Sequence, residues 1–456
     1  MTHAHRFLAG TVLALAALQA FASATADEAA QIGKTLTEVG ALRAGNADGS
    51  IPAYDPATTL TKPVEPYKPV STAGGFPYTD PFAAEKPLFS INAANMDKYG
   101  DKLNEASRYL LKTYPGYRID VYPTHRTASL PKAVLENTVR NINSAKLVGD
   151  GDGISGAHMQ VPFPIPHSGK EAMWNATLRY KAPYERADSY VAWLMDSSGA
   201  RSMIYRAAVD YEHQYWDPSV KDPEYFLRLV NYISAPASRS GSRDMRVSPL
   251  RLDIKEQNAW SYTQGQRRVR LAPEFKYDTV NASESGVKVY DEIAGFDGKM
   301  DRFDFKLLGR REMFIPYNAY KAQESPMETV LTPNVVNPDV MRWELHRVWV
   351  VEATLKAGAR HIYSRRVYYL DEDSWNFALY EAFDQAGKLY RSSVWPLYVA
   401  QETGIPRQDA QVFYDHAKSV YSLSGWVEPG MTGWHKRDPL PPNYFSPEAL
   451  AASGYR

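Results

Sequence analysis

The stretch that decides the fold is RWELHRVWVVEATL, residues 342–355. Successive side chains of a β-strand point to opposite faces, so a strand with one covered face has apolar residues at alternate positions. Turn-forming residues follow at 356–359, 371–374 and 384–387, which predicts four consecutive antiparallel strands over residues 342–399. The first of these strands has an apolar row that one arginine interrupts: Trp343, Leu345, Arg347, Trp349, Val351, Ala353 and Leu355.

Outward from this stretch, helical patterns predominate early in the chain and strand patterns later. This order is typical of an α+β protein with one large, curved antiparallel sheet. The patterns predict helices at 27–44, 92–113, 131–147, 169–179, 222–233 and 447–452. They predict further strands at 189–195, 201–216, 246–254, 258–262, 267–271 and 303–316, and a hairpin at 411–423.

Composition excludes several classes of protein. The chain has 52 basic and 52 acidic residues, whereas a general nucleic-acid binder carries a basic excess, so we expect no nucleic-acid partner. It has no cysteine, which excludes a disulfide framework, thiolate metal sites and cysteine nucleophiles. It also excludes a bacterial lipoprotein, because that lipid is attached to an N-terminal cysteine.

The N-terminus has the pattern of a cleaved secretory signal over residues 1–26. Basic residues precede an apolar run from Phe7 to Phe21, and small residues follow it. No later stretch is long and apolar enough for a membrane helix, so we expect a periplasmic protein. We predict two further parts: N-terminal helices with a Pro/Gly-rich arm at 27–120, and an antiparallel β-sheet domain with lid helices at 121–456.

The motifs of common enzymes are absent from the sequence. A G-x-G-x-x-G match at residues 151–156 precedes alternating prolines and predicts a loop, because prolines cannot open the required helix. His346 and His361 are on neighbouring predicted strands, with Glu344 nearby, but a metal needs another well-placed donor. We therefore expect no catalytic residue, no metal and no cofactor.

Arginines and tryptophans are the candidate ligand-binding residues. Planar guanidinium groups at the rim of an apolar cavity hold a phosphate or carboxylate, and tryptophans line its wall. The alternatives are cross-strand ion pairs for the arginines and ordinary core packing for the tryptophans. The candidates are Trp343, Arg347, Trp349, Trp375, Arg267, Arg268, Arg270, Arg365, Arg366 and His346.

Seven segments together resemble the domain of unknown function 1329 family. They are Gly45–Pro52, Tyr122–Arg126, Phe163–Pro166, Gly265–Arg270, Glu344–Lys356, Arg360–Tyr363 and Asp371–Trp375. The resemblance implies an exported Gram-negative protein with a fold like that of the lipoprotein-sorting carriers LolA and LolB. Such a fold is a half-open antiparallel barrel with helices on its concave side and an apolar cavity for acyl chains. Here the long N-terminal arm departs from those small carriers, and it is placed to cap or fill the groove.

The function predicted from these observations is a periplasmic binding or carrier protein for a lipid-like or other hydrophobic molecule. The resemblance implies an outer-membrane protein and an exporter of the resistance-nodulation-division type as partners. One alternative is an enzyme that modifies an envelope lipid or glycan through Glu344, His346 and His361. The other is a structural adaptor that docks an exporter to its partner through the arm at 51–81.

Overall fold

The computed structural model describes residues 24–69, 75–272 and 276–453. The predicted signal at 1–26 lies almost wholly outside these residues. The strands are β1 (Phe89–Ile91), β2 (Ile119–Val121), β3 (Lys146–Val148), β4 (Gly153–Ser155), β5 (Tyr184–Met195), β6 (Arg201–Glu212), β7 (Tyr225–Ala235), β8 (Arg243–Pro249), β9 (Asn258–Thr263), β10 (Arg268–Leu271), β11 (Phe303–Pro316), β12 (Trp343–Leu355), β13 (Arg365–Asp371), β14 (Phe377–Phe383), β15 (Leu389–Val394), β16 (Tyr398–Ala400), β17 (Ile405–Arg407), β18 (Gln411–Asp415), β19 (Val420–Trp426) and β20 (Trp434–Lys436).

The helices are short and few beside these strands. Short 3-10 turns supplement them, among them Met96–Lys102, Ala282–Glu284 and Tyr290–Glu292. In the part of the chain that is described, no helix has the length and apolar character that crossing a membrane requires. The α-helices are α1 (Ala26–Ala29), α2 (Glu105–Thr113), α3 (Lys132–Arg140), α4 (Gly169–Thr177), α5 (Tyr320–Glu324), α6 (Met327–Val330) and α7 (Pro447–Ser453).

Sixteen of the described strands form one sheet, in the order β1-β2-β12-β13-β14-β15-β18-β19-β5-β6-β7-β8-β9-β10. Strand β11 pairs with β12 and β20 pairs with β5 off this path. The strands pair antiparallel, apart from one parallel contact between Trp343 of β12 and Val121 of β2. Among the described strands β1 and β10 lie at the ends and do not pair with each other, so the sheet is large and not closed. The predicted α+β class with an open antiparallel sheet is confirmed.

The four strands predicted over residues 342–399 are present as β12 to β15. Strand β12 pairs with β13 from Val348–Asp371 to Thr354–Arg365. We expected one covered face, but most residues on both faces of β12 are buried. The sheet continues on both sides of this strand, and on its second face Glu344 and His346 are buried with side-chain atoms 3.0 Å apart. The predicted domain boundary at 120/121 falls inside β2, which pairs with β1, and the division itself stays a prediction.

Two predicted helices are wrong. The chain over 27–44 has only the one-turn helix α1, because Gly33 and Gly40 have φ of +77° and +90°, outside the helical region. Residues 222–233 were predicted as a helix from an Asp-Pro start and apolar residues at helical spacing. They instead form strand β7, which pairs with both β6 and β8, so sheet pairing outweighed the local helix signals.

The C-terminal helix predicted at 447–452 is present as α7, whereas the other three helices were predicted in place but longer than they are. The predicted helix at 92–113 is a 3-10 turn followed by α2, which begins anew where the Asn104 side chain accepts from the Ser107 N–H at 3.0 Å. The helix predicted at 131–147 ends at Arg140. Helix α4 is close to its prediction and begins with a capping box between Ser168 and Glu171.

Candidate ligand-binding cavity

A half-open cavity of about 250 Å³ lies against strands β5 to β9. Strand β7 lines it with alternate residues, Leu227, Leu229, Asn231 and Ile233, because every second side chain shares a face. Their cross-strand partners on β6 include Ala207, which is paired with Ile233. One face of this half of the sheet therefore forms the floor of the cavity.

The opposite face of the same strands is covered by the C-terminal segment. Val230 of β7 is paired with Met245 of β8, and both pack in a cluster with Leu450 of α7. Tyr444 and Phe445 pack against that cluster. The C-terminal helix therefore supports the cavity floor from behind.

The rest of the cavity wall comes from connecting segments and aromatic rings. Segments 281–294 and 405–411 face the floor. The ring centroids of Tyr190 and Tyr205 lie 5.6 Å apart, edge to face, and that of Trp434 lies 5.5 Å from Tyr190 and 5.7 Å from Tyr211. Aromatic rings and the aliphatic floor thus give the cavity an extensive apolar surface.

Ion pairs occupy another part of the wall. Arg407 bonds to Glu185 and, at 2.7 Å, to Asp409. Burial alone raises the pKa of the Glu185 carboxyl, but Arg407 and His213 outweigh it and lower that pKa to about 2. Burial lowers the pKa of His213 to about 4, so this histidine is neutral near pH 7.

Two further cations, Arg179 and Lys181, lie in the wall between α4 and β5. Arg179 is 8% exposed, donates to the Ala176 carbonyl at 3.0 Å, and has its guanidinium carbon 5.9 Å from the centre of the Phe377 ring. Burial lowers the pKa of Arg179 to about 10 and lowers that of Lys181 well below its ordinary value. The wall is therefore amphipathic, with basic groups beside an apolar floor.

A second, small cavity of about 30 Å³ lies across the Glu185–Arg407 pair. The arm lines it through Gly75, Phe76, Pro77 and Tyr78. The Phe76 ring packs against that of Tyr398, with centroids 5.3 Å apart. The part of the arm that is described therefore docks beside the large cavity and does not line it.

The ten residues predicted to bind ligand do not line the large cavity. Trp343, Trp349 and Trp375 are buried in the main core, and the last two stack with ring centroids 5.8 Å apart. The Arg310 guanidinium carbon lies 3.9 Å from the centre of the Trp349 ring. These three tryptophans thus pack in the core, and a ligand-binding role for them stays a prediction.

The predicted arginine cluster does not assemble. Arg267, Arg268 and Arg270 are exposed around the β9–β10 turn at one end of the sheet. The other three lie on β12 and β13, where Arg347 donates to the Ala44 carbonyl at 2.8 Å and Arg365 lies 3.3 Å from Glu352.

Arg366 is fully buried in an ion pair. Its two terminal nitrogens donate to Asp291 at 2.8 and 3.1 Å, and its Nε donates to Tyr380 at 2.9 Å. Asp291 also contacts His361 at 3.0 Å. Five of the six predicted arginines are thus exposed or ion-paired, and a binding role for all six stays untested.

His346 and His361 do not approach each other. His346 lies beyond the Val348–Asp371 end of the β12–β13 pair, and His361 precedes Arg365 at the other end. His346 Nε2 lies 3.0 Å from a Glu344 oxygen, and both side chains are buried. The pair predicted for the enzyme alternative is thus split, and its histidines have separate acidic partners.

His346, Asp371 and Asp373 are the described residues that could hold a metal ion. One ligand atom of each lies within 4.8 Å of the others, and all three residues are buried. Arg126 donates to both oxygens of Asp373, at 2.9 and 2.6 Å, and Ser374 donates to Asp371 at 2.5 Å. Burial, and then the charge of Asp373, raise the pKa of Asp371 to about 7. The two carboxylates of this cluster are thus already hydrogen-bonded, Asp373 to the Arg126 guanidinium and Asp371 to the Ser374 hydroxyl.

Sequence reasoning missed the cavity because it assigned β7 to a helix. The alternation of Leu227, Leu229 and Ile233 was the available signal, but Leu229, Val230 and Ile233 also match helical spacing. Arg179 and Lys181 carry no motif, and their significance comes only from surroundings that the fold creates.

The fold and cavity define the class: an open antiparallel-sheet protein with an amphipathic cavity on one face of the sheet. Residues 90–451 match the family described as Protein of unknown function (DUF1329), and the chain belongs to this family. Uncharacterized protein PA3922 of Pseudomonas aeruginosa is 35% identical over 449 residues, which cover 97% of each chain. The family predicted from the motifs is confirmed.

Solved structures with similar chains include a DUF1329 family protein from Desulfovibrio piger. That similarity has a TM-score of 0.43 and 15% identity, and covers 62% of this chain and 97% of the other. LolA superfamily protein NE2245 of Nitrosomonas europaea gives a TM-score of 0.35 and 13% identity, and covers 61% of this chain and 97% of the other. No ligand is assigned from either similarity.

Proposed function

We propose that this protein binds and carries a hydrophobic or amphipathic small molecule and has no catalytic role. The observation that carries the proposal is the cavity of about 250 Å³ with the aliphatic floor of Leu227, Leu229 and Ile233. Small-molecule sites are concave and mostly apolar, with a few polar groups that fix orientation. This cavity has both components.

Apolar burial is sufficient for affinity in such a site. Each methylene removed from water contributes about 0.8 kcal/mol, so about ten methylenes give roughly 8 kcal/mol before the costs of ordering. The cavity volume of about 250 Å³ is slightly below that of typical ligand sites, which begin at about 300 Å³. One chain therefore suits the cavity better than a lipid with several chains.

We further propose that the protein is periplasmic, because residues 1–26 have the pattern of a secretory signal. We also propose an outer-membrane protein and an exporter as its partners. Cell fractionation and N-terminal sequencing of the full-length chain test the location. Cleavage close to residue 26 and recovery from the periplasm are expected. An uncleaved cytoplasmic product contradicts this part of the proposal.

The cavity itself is tested with two neighbouring substitutions. Ala207→Phe adds a ring toward the cavity, because Ala207 lines it and is 1% exposed. Ala208→Phe is the matched control, since Ala208 is paired with Tyr232 on the opposite face. Native mass spectrometry of co-purified ligand and titration with a fluorescent fatty-acid analogue measure occupancy.

We expect Ala207→Phe to weaken binding at least about tenfold, which corresponds to about 1.4 kcal/mol. Ala208→Phe should retain binding, and circular dichroism should show both variants folded. Equal binding by wild type and folded Ala207→Phe would place the ligand outside this cavity. An absence of any bound chain in wild type would remove the carrier proposal.

A further inference from the structure

Arg179 and Lys181 line the cavity, and neither is ion-paired to a carboxylate of a described residue. The one hydrogen bond of the Arg179 guanidinium to a described residue goes to the backbone carbonyl of Ala176. Lys181 makes no hydrogen bond or ion pair with any described residue, and its electrostatic neighbours include Arg179 and Glu185. Among the described residues, two adjacent basic groups of one wall are therefore without a directly paired carboxylate.

Other cations of the same wall are paired. Arg407 bonds to Glu185 and Asp409, and Lys288 lies 3.6 Å from Glu284. Of the acids near Lys181, Glu185 and Asp409 are thus engaged by Arg407, and Asp297 is engaged by Arg246. Of the six Lys and Arg side chains in the lining, Arg246 is paired with Asp297 outside it, which leaves five basic side chains against the four Asp and Glu side chains of the lining.

Burial makes this excess costly. A charge removed from water without a partner is strongly destabilised, whereas a bound counter-ion relieves that cost. The direction of the pKa shifts agrees, since burial and the neighbouring Arg179 both disfavour the charged form of Lys181. An anion that enters the cavity would restore a full charge to Lys181 and supply Arg179 with an acceptor.

We infer that Arg179 and Lys181 form a subsite for the anionic group of a single-chain amphiphile, whose apolar chain lies on the floor formed by β7. The inference rests on the proposed function and names its ligand class. A guanidinium binds a carboxylate, phosphate or sulfate through two parallel hydrogen bonds, and an ammonium adds a point charge. The floor residues Leu227 and Leu229 provide the apolar half of the same cavity.

The test compares palmitate with hexadecanol, which has the same chain length and no charge. Each is titrated into wild type, Lys181→Gln and Lys181→Arg, with Lys132→Gln as a control because that side chain is 89% exposed. Lys181→Gln removes the hydrogen bond between the Lys181 ammonium and the palmitate carboxylate, and the loss of such a charged hydrogen bond should weaken palmitate binding by about tenfold or more. Hexadecanol binding should stay within about threefold, and Lys181→Arg should recover palmitate binding.

Each outcome separates the two proposals. Equal binding of palmitate and hexadecanol by wild type, or an equal loss of both in Lys181→Gln, overturns the anionic subsite and leaves the carrier function standing. Failure of wild type to bind either chain overturns both. Inorganic phosphate or acetate is titrated alone, and binding as tight as that of palmitate overturns the amphiphile in favour of a free-anion site.

Discussion

Replacing the buried Arg366 by methionine should destabilise the fold without acting on the cavity. Its guanidinium donates twice to Asp291 and once to Tyr380. Arg366 is 0% exposed and Asp291 is 3% exposed. The substitution leaves the Asp291 carboxylate buried, with the His361 ring as its remaining side-chain hydrogen-bond partner among the described residues.

The magnitude follows from this burial. Removing one partner of a buried ion pair costs about 3–5 kcal/mol, because the other charge stays uncompensated. The next residue gives the control: the Arg365 side chain is 37% exposed and lies 3.3 Å from Glu352. Exposed pairs contribute less than about 1 kcal/mol, so Arg365→Met should have a small effect.

The acid dependence of stability provides a second measure of the same pair. Burial raises the pKa of Asp291, but Arg366 and His361 outweigh burial and lower it to about 2, from an ordinary 3.8. A lowered pKa gives stability that is present above pH about 4 and is lost as pH falls toward 2, on the order of 2 kcal/mol. Arg366→Met should lose most of this dependence on pH.

Urea unfolding between pH 2 and pH 7 measures both the loss of stability and its pH dependence. The double variant Arg366→Met/Asp291→Asn should recover part of the stability that Arg366→Met loses. A cost below about 1 kcal/mol in Arg366→Met, with the acid dependence unchanged, would refute the reasoning. Loss of ligand from the folded variant would instead support the sequence-based prediction that Arg366 binds ligand.

Two further predictions concern a buried acid and a glycine. Burial raises the pKa of Glu381 to about 7, so the wild type should lose stability as pH rises from about 4.5 to about 7, whereas Glu381→Gln should not. Urea unfolding across that pH range measures the difference, and the same pH dependence of stability in both proteins would contradict the prediction. Gly40→Ala should cost more than Gly33→Ala, because both have positive φ but only a Cβ on Gly40 would lie 1.7 Å from the Pro164 oxygen; equal melting temperatures would contradict this.

Local patterns were sufficient for the strands that the sequence marks clearly. Alternation in β12 and the turn residues after it predicted the four-stranded meander, because period two and turn chemistry are properties of short segments. The same reasoning was wrong for β7, where Leu229, Val230 and Ile233 satisfy helical spacing. Which pattern prevails is decided by pairing with β6 and β8, and that pairing is not encoded within β7 itself.

The candidate site was less accessible to sequence reasoning than the fold. Arg347, Arg365 and Arg366 were grouped by residue type, but a strand sends neighbouring side chains to opposite faces, and Arg366 meets Asp291 from a distant loop. Conversely, Arg179 and Lys181 become notable only because neither is ion-paired to a carboxylate in the part of the folded chain that is described. Such a lack depends on tertiary contacts, which no spacing of residues reveals.

The ends of the open sheet bear on the solubility of the protein. Unpaired edge strands add further strands from other molecules unless they are short or charged. The terminal strands here are β1, of three residues, and β10, of four, and Arg268 and Arg270 are exposed on β10. These arginines would repel a second copy approaching the same edge. Replacing both with valine should therefore produce concentration-dependent self-association in analytical ultracentrifugation, and a monomeric variant would assign them another role.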